Sequence, residues 1–195
     1  MKKSFLVILL FIFSISLVSA QKLKKVFNGK NLSGWVVPNP NYENWTVSNG
    51  ILHVKSSDDR KGSILWTEKE YEDFIVEAEY KNIDGIVDSG IFLRSEKDQI
   101  QIGISGSLKR DLTGSPYIPG KSYPVEAKID NVLNKDDWNT LKVKVQGKSY
   151  TVWLNGKEVM NYTSEDMVEK GPIGIQLHPG NNMSIDYRTI KVAEL

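Results

Sequence analysis

Ser89-Gly90-Ile91-Phe92-Leu93-Arg94 places Ile91 and Leu93 on one side of an extended chain and Gly90, Phe92 and Arg94 on the other. Strand side chains alternate with period two, so the segment reads as a strand with one core face and one face of different character. Two further stretches repeat the pattern. In Gln99-Ile100-Gln101-Ile102-Gly103-Ile104 the isoleucines oppose Gln99, Gln101 and Gly103. In Ile173-Gly174-Ile175-Gln176-Leu177-His178 the apolar set opposes Gly174, Gln176 and His178. Ordinary solvated faces carry Lys and Glu, as Leu141-Lys142-Val143-Lys144-Val145 does. Amides, an arginine, an imidazole and glycines suit a sugar-binding floor better, because each amide both donates to and accepts from hydroxyls.

The rest of the chain reads the same way. Trp45-Thr46-Val47-Ser48 and Ile51-Leu52-His53-Val54 flank Asn49-Gly50, a strong hairpin signal. Phe74 to Lys81 alternates as a half-buried strand. Leu141 to Val145, Tyr150 to Leu154 and Glu158 to Met160 form a meander with turns at Gln146-Gly147-Lys148 and Asn155-Gly156. Ser184 to Val192 is a closing strand, with Ile185, Tyr187, Thr189 and Lys191 on one face. Ser164 to Met167 reads as a short helical turn. Many short strands with Gly-rich turns and no long helical period give an all-β sandwich of two antiparallel sheets. The exception is Ser105 to Asp137, which holds Gly106, Gly114, Pro116, Pro119, Gly120 and Pro124 and has no sustained period. A connection this long is either a functional rim over the polar face or a surface decoration.

Residues 1–20 read as a signal peptide: Lys2 and Lys3, an apolar run from Phe5 to Val18, and the small residues Ser19 and Ala20 before Gln21. That expectation makes 21–195 the mature domain and its setting periplasmic or extracellular. Without Lys2 and Lys3 the chain has 23 basic residues against 24 acidic ones, a balance that supports neither nucleic-acid nor anionic-membrane binding. The absence of cysteine excludes disulfides, thiolate catalysis and cysteine metal sites. The sequence does not settle oligomeric state.

Taken together, several segments resemble the 3-keto-disaccharide hydrolase (DUF1080) domain family, a concanavalin A-like jelly-roll sandwich. Val26-Phe27-Asn28-Gly29-Lys30-Asn31-Leu32-Ser33-Gly34-Trp35 is similar to its opening motif, Tyr71-Glu72-Asp73-Phe74 to a strand entry, and Asp88 to Arg94 to its NSGIFLR motif. Gln99-Ile100-Gln101-Ile102 stands where the family has E-x-Q-I, Thr113 to Tyr117 resembles TGA-x-Y, and Gly171 to His178 completes the series in order. Two departures bear on function: Asp88 replaces the usual Asn, and Gln99 replaces the usual Glu.

The resemblance implies cleavage of glycosides already oxidised at C3. The C3 ketone acidifies the C2 proton, a base removes it, and the enolate expels the C1 substituent. Such a site needs a base near C2 and donors for the enolate oxygen. It does not need the two opposed carboxylates of ordinary glycosidases, and no such pair or E-x-D-x-x-E motif is evident. The candidate catalytic residues are His178 as base, Arg94 for the enolate, and Asp88 as a nearby carboxylate. Gln99, Gln101, Gln176, Tyr117, Trp138 and Phe92 are the candidate substrate-binding residues. Several have a plainer reading. His178 can be a hydrogen-bonded structural histidine, Arg94 a salt-bridge partner of Asp88 or Glu96, the glutamines a cross-strand amide set, and Tyr117 a loop anchor. His53, on the hairpin, reads as structural, and Trp35, Trp45 and Trp153 read as packing. No cofactor is expected. A divalent cation held by His178 and Asp88 with sugar oxygens stays open, as does a non-catalytic, lectin-like sugar-binding module on the same fold.

Overall fold

The computed structural model describes residues 22–38 and 43–195, so the signal-peptide expectation for 1–20 lies outside the described residues. The first strands are β1 (Lys24–Lys25), β2 (Trp35–Val36), β3 (Trp45–Ser48), β4 (Ile51–Lys55), β5 (Ser63–Tyr71), β6 (Phe74–Gly85) and β7 (Asp88–Leu93). They are followed by β8 (Gln99–Gly103), β9 (Pro116–Tyr117), β10 (Asn139–Gln146), β11 (Ser149–Leu154), β12 (Lys157–Thr163), β13 (Gly171–Leu177) and β14 (Met183–Glu194). One sheet runs β12-β11-β10-β6-β14-β4-β3, with β1 added on β14; the other runs β2-β5-β13-β7-β8-β9. All pairings are antiparallel. This is the all-β sandwich the alternation calls for, and no helix occurs among the described residues. Ser164 to Met167 forms a non-helical turn instead.

The core lies between the sheets, where the apolar half of each alternation meets. Val76, Ala78, Leu141, Val143, Val152 and Ile185 face Leu65, Ile91, Leu93, Ile100, Ile173 and Ile175, all essentially inaccessible. Burying each large aliphatic side chain is worth about 1.5–3 kcal/mol, and this term holds the sheets together without disulfides. The hairpin β3–β4 turns at Asn49 and Gly50, both at positive φ (50° and 81°), as the two-residue turn requires.

Two departures from simple alternation matter. β14 slips register between Tyr187 and Thr189 where it pairs with β6, so Arg188 is an extra residue. Beyond the bulge the core face passes to Ile190 and Val192, whereas unbroken alternation assigns it to Thr189 and Lys191. The second departure is burial: β7 and β8 are buried on both faces. Their outer face is covered by the segment after β8, which forms β9 and isolated bridges at Ile104–Asp111 and Ile118–Ser122.

Candidate functional site

The outer face of the six-stranded sheet is shaped by two glycines that let neighbouring side chains lie flat. β7 runs between β13 and β8, so a side chain from β8 must cross β7 to reach β13. Gln99 does this: its Nε2 donates to Gln176 Oε1 at 2.7 Å. It passes over Gly90, where a Cβ would sit 2.1 Å from Gln99 Nε2. One strand pair further along, Gly174 lies opposite both Phe92 and Trp66. A Cβ there would stand 2.6 Å from the Trp66 ring, and the indole meets Phe92 with centroids 5.6 Å apart.

Past the amide pair, a hollow of about 170 Å³ is lined by Asp88, Gln99, Gln101, Tyr117, Gln176 and His178, with Ser105, Gly106, Ser107 and Tyr123 from the long loop. Asp88 is nearly inaccessible, and both of its oxygens accept N–H donors: Gln101 Nε2 on Oδ1 at 2.8 Å and the Gly106 amide on Oδ2 at 2.8 Å. That is the bonding of a carboxylate, which accepts only. Gln101 is used at both ends, because its Oε1 also accepts from the Tyr123 hydroxyl at 3.0 Å. It holds Asp88 and Tyr123 in place. Gln176 differs: its oxygen accepts from Gln99 and its Nε2 has no protein partner among the described residues, leaving donors for a ligand. Burial pushes the Tyr123 phenol up, a hydrogen bond with Ser105 opposes this, and the Asp88 charge adds to it. Tyr123 is therefore a phenol, not a phenolate, at neutral pH.

His178 follows β13 and continues its alternation onto the outer face. Its Nδ1 lies 2.7 Å from the Pro179 carbonyl oxygen, which can only accept, so Nδ1 carries the proton and Nε2 holds the lone pair. Nδ1 also stands 3.8 Å from Asp88 Oδ2. The ring is partly exposed in the hollow, and Nε2 has no protein partner among the described residues. Because Nδ1 is committed to Pro179, the pair is poorly arranged for a cation. Among the described residues no group of three or more His, Cys, Asp or Glu side chains is placed to hold a metal ion.

The structure brings Asp88, Gln99, Gln101, Gln176, His178 and Tyr117 together and sends three other candidates elsewhere. Arg94 is the main correction. It has φ +66°, which breaks the alternation and swings the side chain off the outer face. Its guanidinium donates to the carbonyls of Glu72, Gly147 (2.8 Å) and Val168 (2.9 Å) and pairs with Asp73 at 3.1 Å, not with Asp88 or Glu96. Burial lowers its pKa and Asp73 works against that. It clamps three turns at one end of the sandwich and is not available to an enolate.

Trp138 is the second correction. It lies on the outer face of the other sheet, with the Arg188 guanidinium 4.5 Å from its ring centre. Phe92 lies outside the hollow, in an adjoining groove that shares Gln176 with it.

His53 is structural, held by Asp186 (2.8 Å) and Ser48 (2.9 Å). Trp35 and Trp45 are buried packing residues. Ser105, Gly106, Ser107 and Tyr123 lie in the 105–137 segment considered as a rim but are not individually marked by the sequence, and neither is Trp66. Tyr123 could have been found as a second loop tyrosine six residues after Tyr117; their rings sit 5.3 Å apart. Trp66 lies on β5, whose Ile64-Leu65-Trp66-Thr67 run has strong strand character.

Among solved structures, a protein from Parabacteroides distasonis provisionally described as a glycosyl hydrolase is 24% identical over 89% of this chain and 100% of its own, with TM-score 0.67. The carbohydrate-binding module CBM66 from Bacillus subtilis is 13% identical over 83% of this chain and 96% of its own, with TM-score 0.55. The exoplasmic domain of VIP36, in a form with Ca2+ and Man3GlcNAc bound, is 12% identical over 89% and 91%, with TM-score 0.65. These likenesses establish the jelly-roll sandwich. Among curated proteins, none matches this sequence. The family description that does match covers residues 22–193 and reads "3-keto-alpha-glucoside-1,2-lyase-like domain".

Proposed function

This chain belongs to the 3-keto-alpha-glucoside-1,2-lyase-like domain family, and we propose that it cleaves glycosides oxidised at C3 by removing the C2 proton. The observation that carries the reading is His178, held by Pro179 with Nε2 unpaired in a polar hollow and Asp88 beside it. Nε2 takes the C2 proton, and the C–H electron pair becomes the enolate of the C3 ketone. Asp88 Oδ2, 3.8 Å from Nδ1, lies beside the ring that gains this proton. With Arg94 withdrawn, the unpartnered N–H groups of Gln176 Nε2 are the donors for the enolate oxygen. Collapse of the enolate forms the C1–C2 double bond and breaks C1–O. The departing oxygen takes a proton from the Tyr117 hydroxyl and leaves as an alcohol. Addition of water across the new double bond converts this elimination into net hydrolysis. Asp88 is the sole carboxylate of the hollow, which weighs against an ordinary two-carboxylate glycosidase.

Incubation with methyl 3-keto-glucosides should release methanol, the parent glucosides should stay intact, and His178→Ala should lose the activity. Turnover of the parent glucosides at a similar rate would refute the reading. The signal-like segment at 1–20 supports action outside the cytoplasm; secreted protein beginning at Gln21 is the expected finding, and an intact N-terminus would count against it.

One observation favours a second reading. Gln99 stands where the family has Glu, and its amide is spent on Gln176. A non-catalytic sugar-binding domain would use the same floor, and saturable sugar binding without release would establish it.

A further inference from the structure

The polar hollow, at about 170 Å³, is below the ~300–1,000 Å³ of pockets that enclose a whole drug-sized ligand. It has room for one sugar ring, so the rest of a glycoside must lie outside it. The adjoining groove is much larger, at about 770 Å³, and meets the hollow at Gln176. We propose that this groove receives the leaving group and selects a flat apolar one, an aryl alcohol above all, over a second sugar. The proposal rests on the reading of the hollow as the site of the cleaved sugar.

The choice of chemistry follows from the groove's composition. Trp66 lies flat over Gly174 against Phe92, with Ile64, Val36, Pro38 and Pro179 around them. A second sugar would need amides or hydroxyls set around an aromatic platform. Gln176 belongs to both cavities, and its oxygen is taken by Gln99. Ser63 accepts the Trp45 indole N–H at 2.9 Å. The charged side chains Arg60, Lys61 and Glu96 are exposed along the groove. Between these charges and the Nε2 donors of Gln176 the groove offers mainly ring and methyl surface, which stacks on an arene and leaves most sugar hydroxyls unpaired.

The test is calorimetric binding of phenyl, methyl and glucosyl glucosides, in both anomeric forms, as uncleaved stand-ins. The phenyl compound should bind about tenfold more tightly than the methyl one, and Trp66→Ala should erase that difference with little effect on the methyl compound. Val36→Asp, at a side chain 53% exposed and so outside the packed core, should weaken the phenyl compound selectively as well. Phenyl and methyl glucosides binding alike, no measurable binding of either, or tighter binding of the glucosyl glucoside would overturn the proposal. Because these arms need no turnover, a phenyl preference without alcohol release from any 3-keto-glycoside would support the groove while refuting the lyase reading.

Discussion

On the outer face of the eight-stranded sheet, Lys191 meets Glu77 at 3.1 Å, Arg188 meets Glu79 at 3.1 Å, and Lys142 lies over Trp153. On the outer face of the six-stranded sheet, Gln99 crosses Gly90 to Gln176, and Gln101 joins Asp88 to Tyr123. Both faces come from the same period-two alternation around one core. The first faces water, where long charged side chains solvate cheaply and each exposed pair adds about 0–1 kcal/mol. The second lies under a loop, where most polar groups are paired with one another and Gln176 Nε2 and His178 Nε2 are left for a ligand. A charged face tolerates change; an amide network under cover is geometrically exacting, which suits the sugar chemistry proposed for it.

Four experiments would break or sharpen that contrast. His178→Ala should lower alcohol release from 3-keto-glucosides by roughly 10²–10⁴-fold, the usual worth of a general base, while Lys142→Ala on the opposite face leaves it unchanged. Equal effects of the two would erase the distinction between the faces. Arg94→Ala should destabilise the protein by about 3–5 kcal/mol, since three backbone carbonyls and Asp73 lose a buried partner. The melting temperature should then fall by about 10 °C, and an unaltered melt would disprove the clamp.

Gly90→Ala should be milder, about 1–3 kcal/mol, as the new methyl forces Gln99 off Gln176. Its signature is weaker sugar binding; an Ala variant with native affinity would mean the amide pair does not read the sugar. The smallest effect concerns the interior between the faces. Asp98 is fully buried, accepts from Tyr150 at 3.2 Å, and its second oxygen has no partner. Burial holds its pKa above the ordinary value, with Ser164 and Tyr150 pulling the other way. Its contribution to stability is thus full below the usual aspartate pKa and is lost as pH rises through the raised folded value. Asp98→Asn should melt like the wild type near pH 3 and above it at pH 7; the opposite order would contradict this.

The sandwich was legible because its strands alternate cleanly, and so was most of the polar floor, since Gln99, Gln101, Gln176 and His178 obey the same period. What alternation misses are the places where the backbone leaves the strand region. Arg94 follows the pattern in sequence but not in space, because one residue at positive φ redirects it. The bulge at Arg188 reverses the faces of β14 in the same way. Loop residues such as Tyr123 and Gly106 carry no period at all, and their place over Asp88 is set by tertiary packing. Trp138 looked like a cleft residue from its position after the loop, yet β10 carries it to the other sheet.

Replacing hydrogen by deuterium at C2 of a 3-keto-glucoside tests most directly whether the covered amide face performs proton abstraction. Release of the alcohol should slow, and in heavy water recovered substrate or product should carry solvent deuterium at C2. Alcohol release with an unaltered rate and no exchange at that carbon would contradict the account.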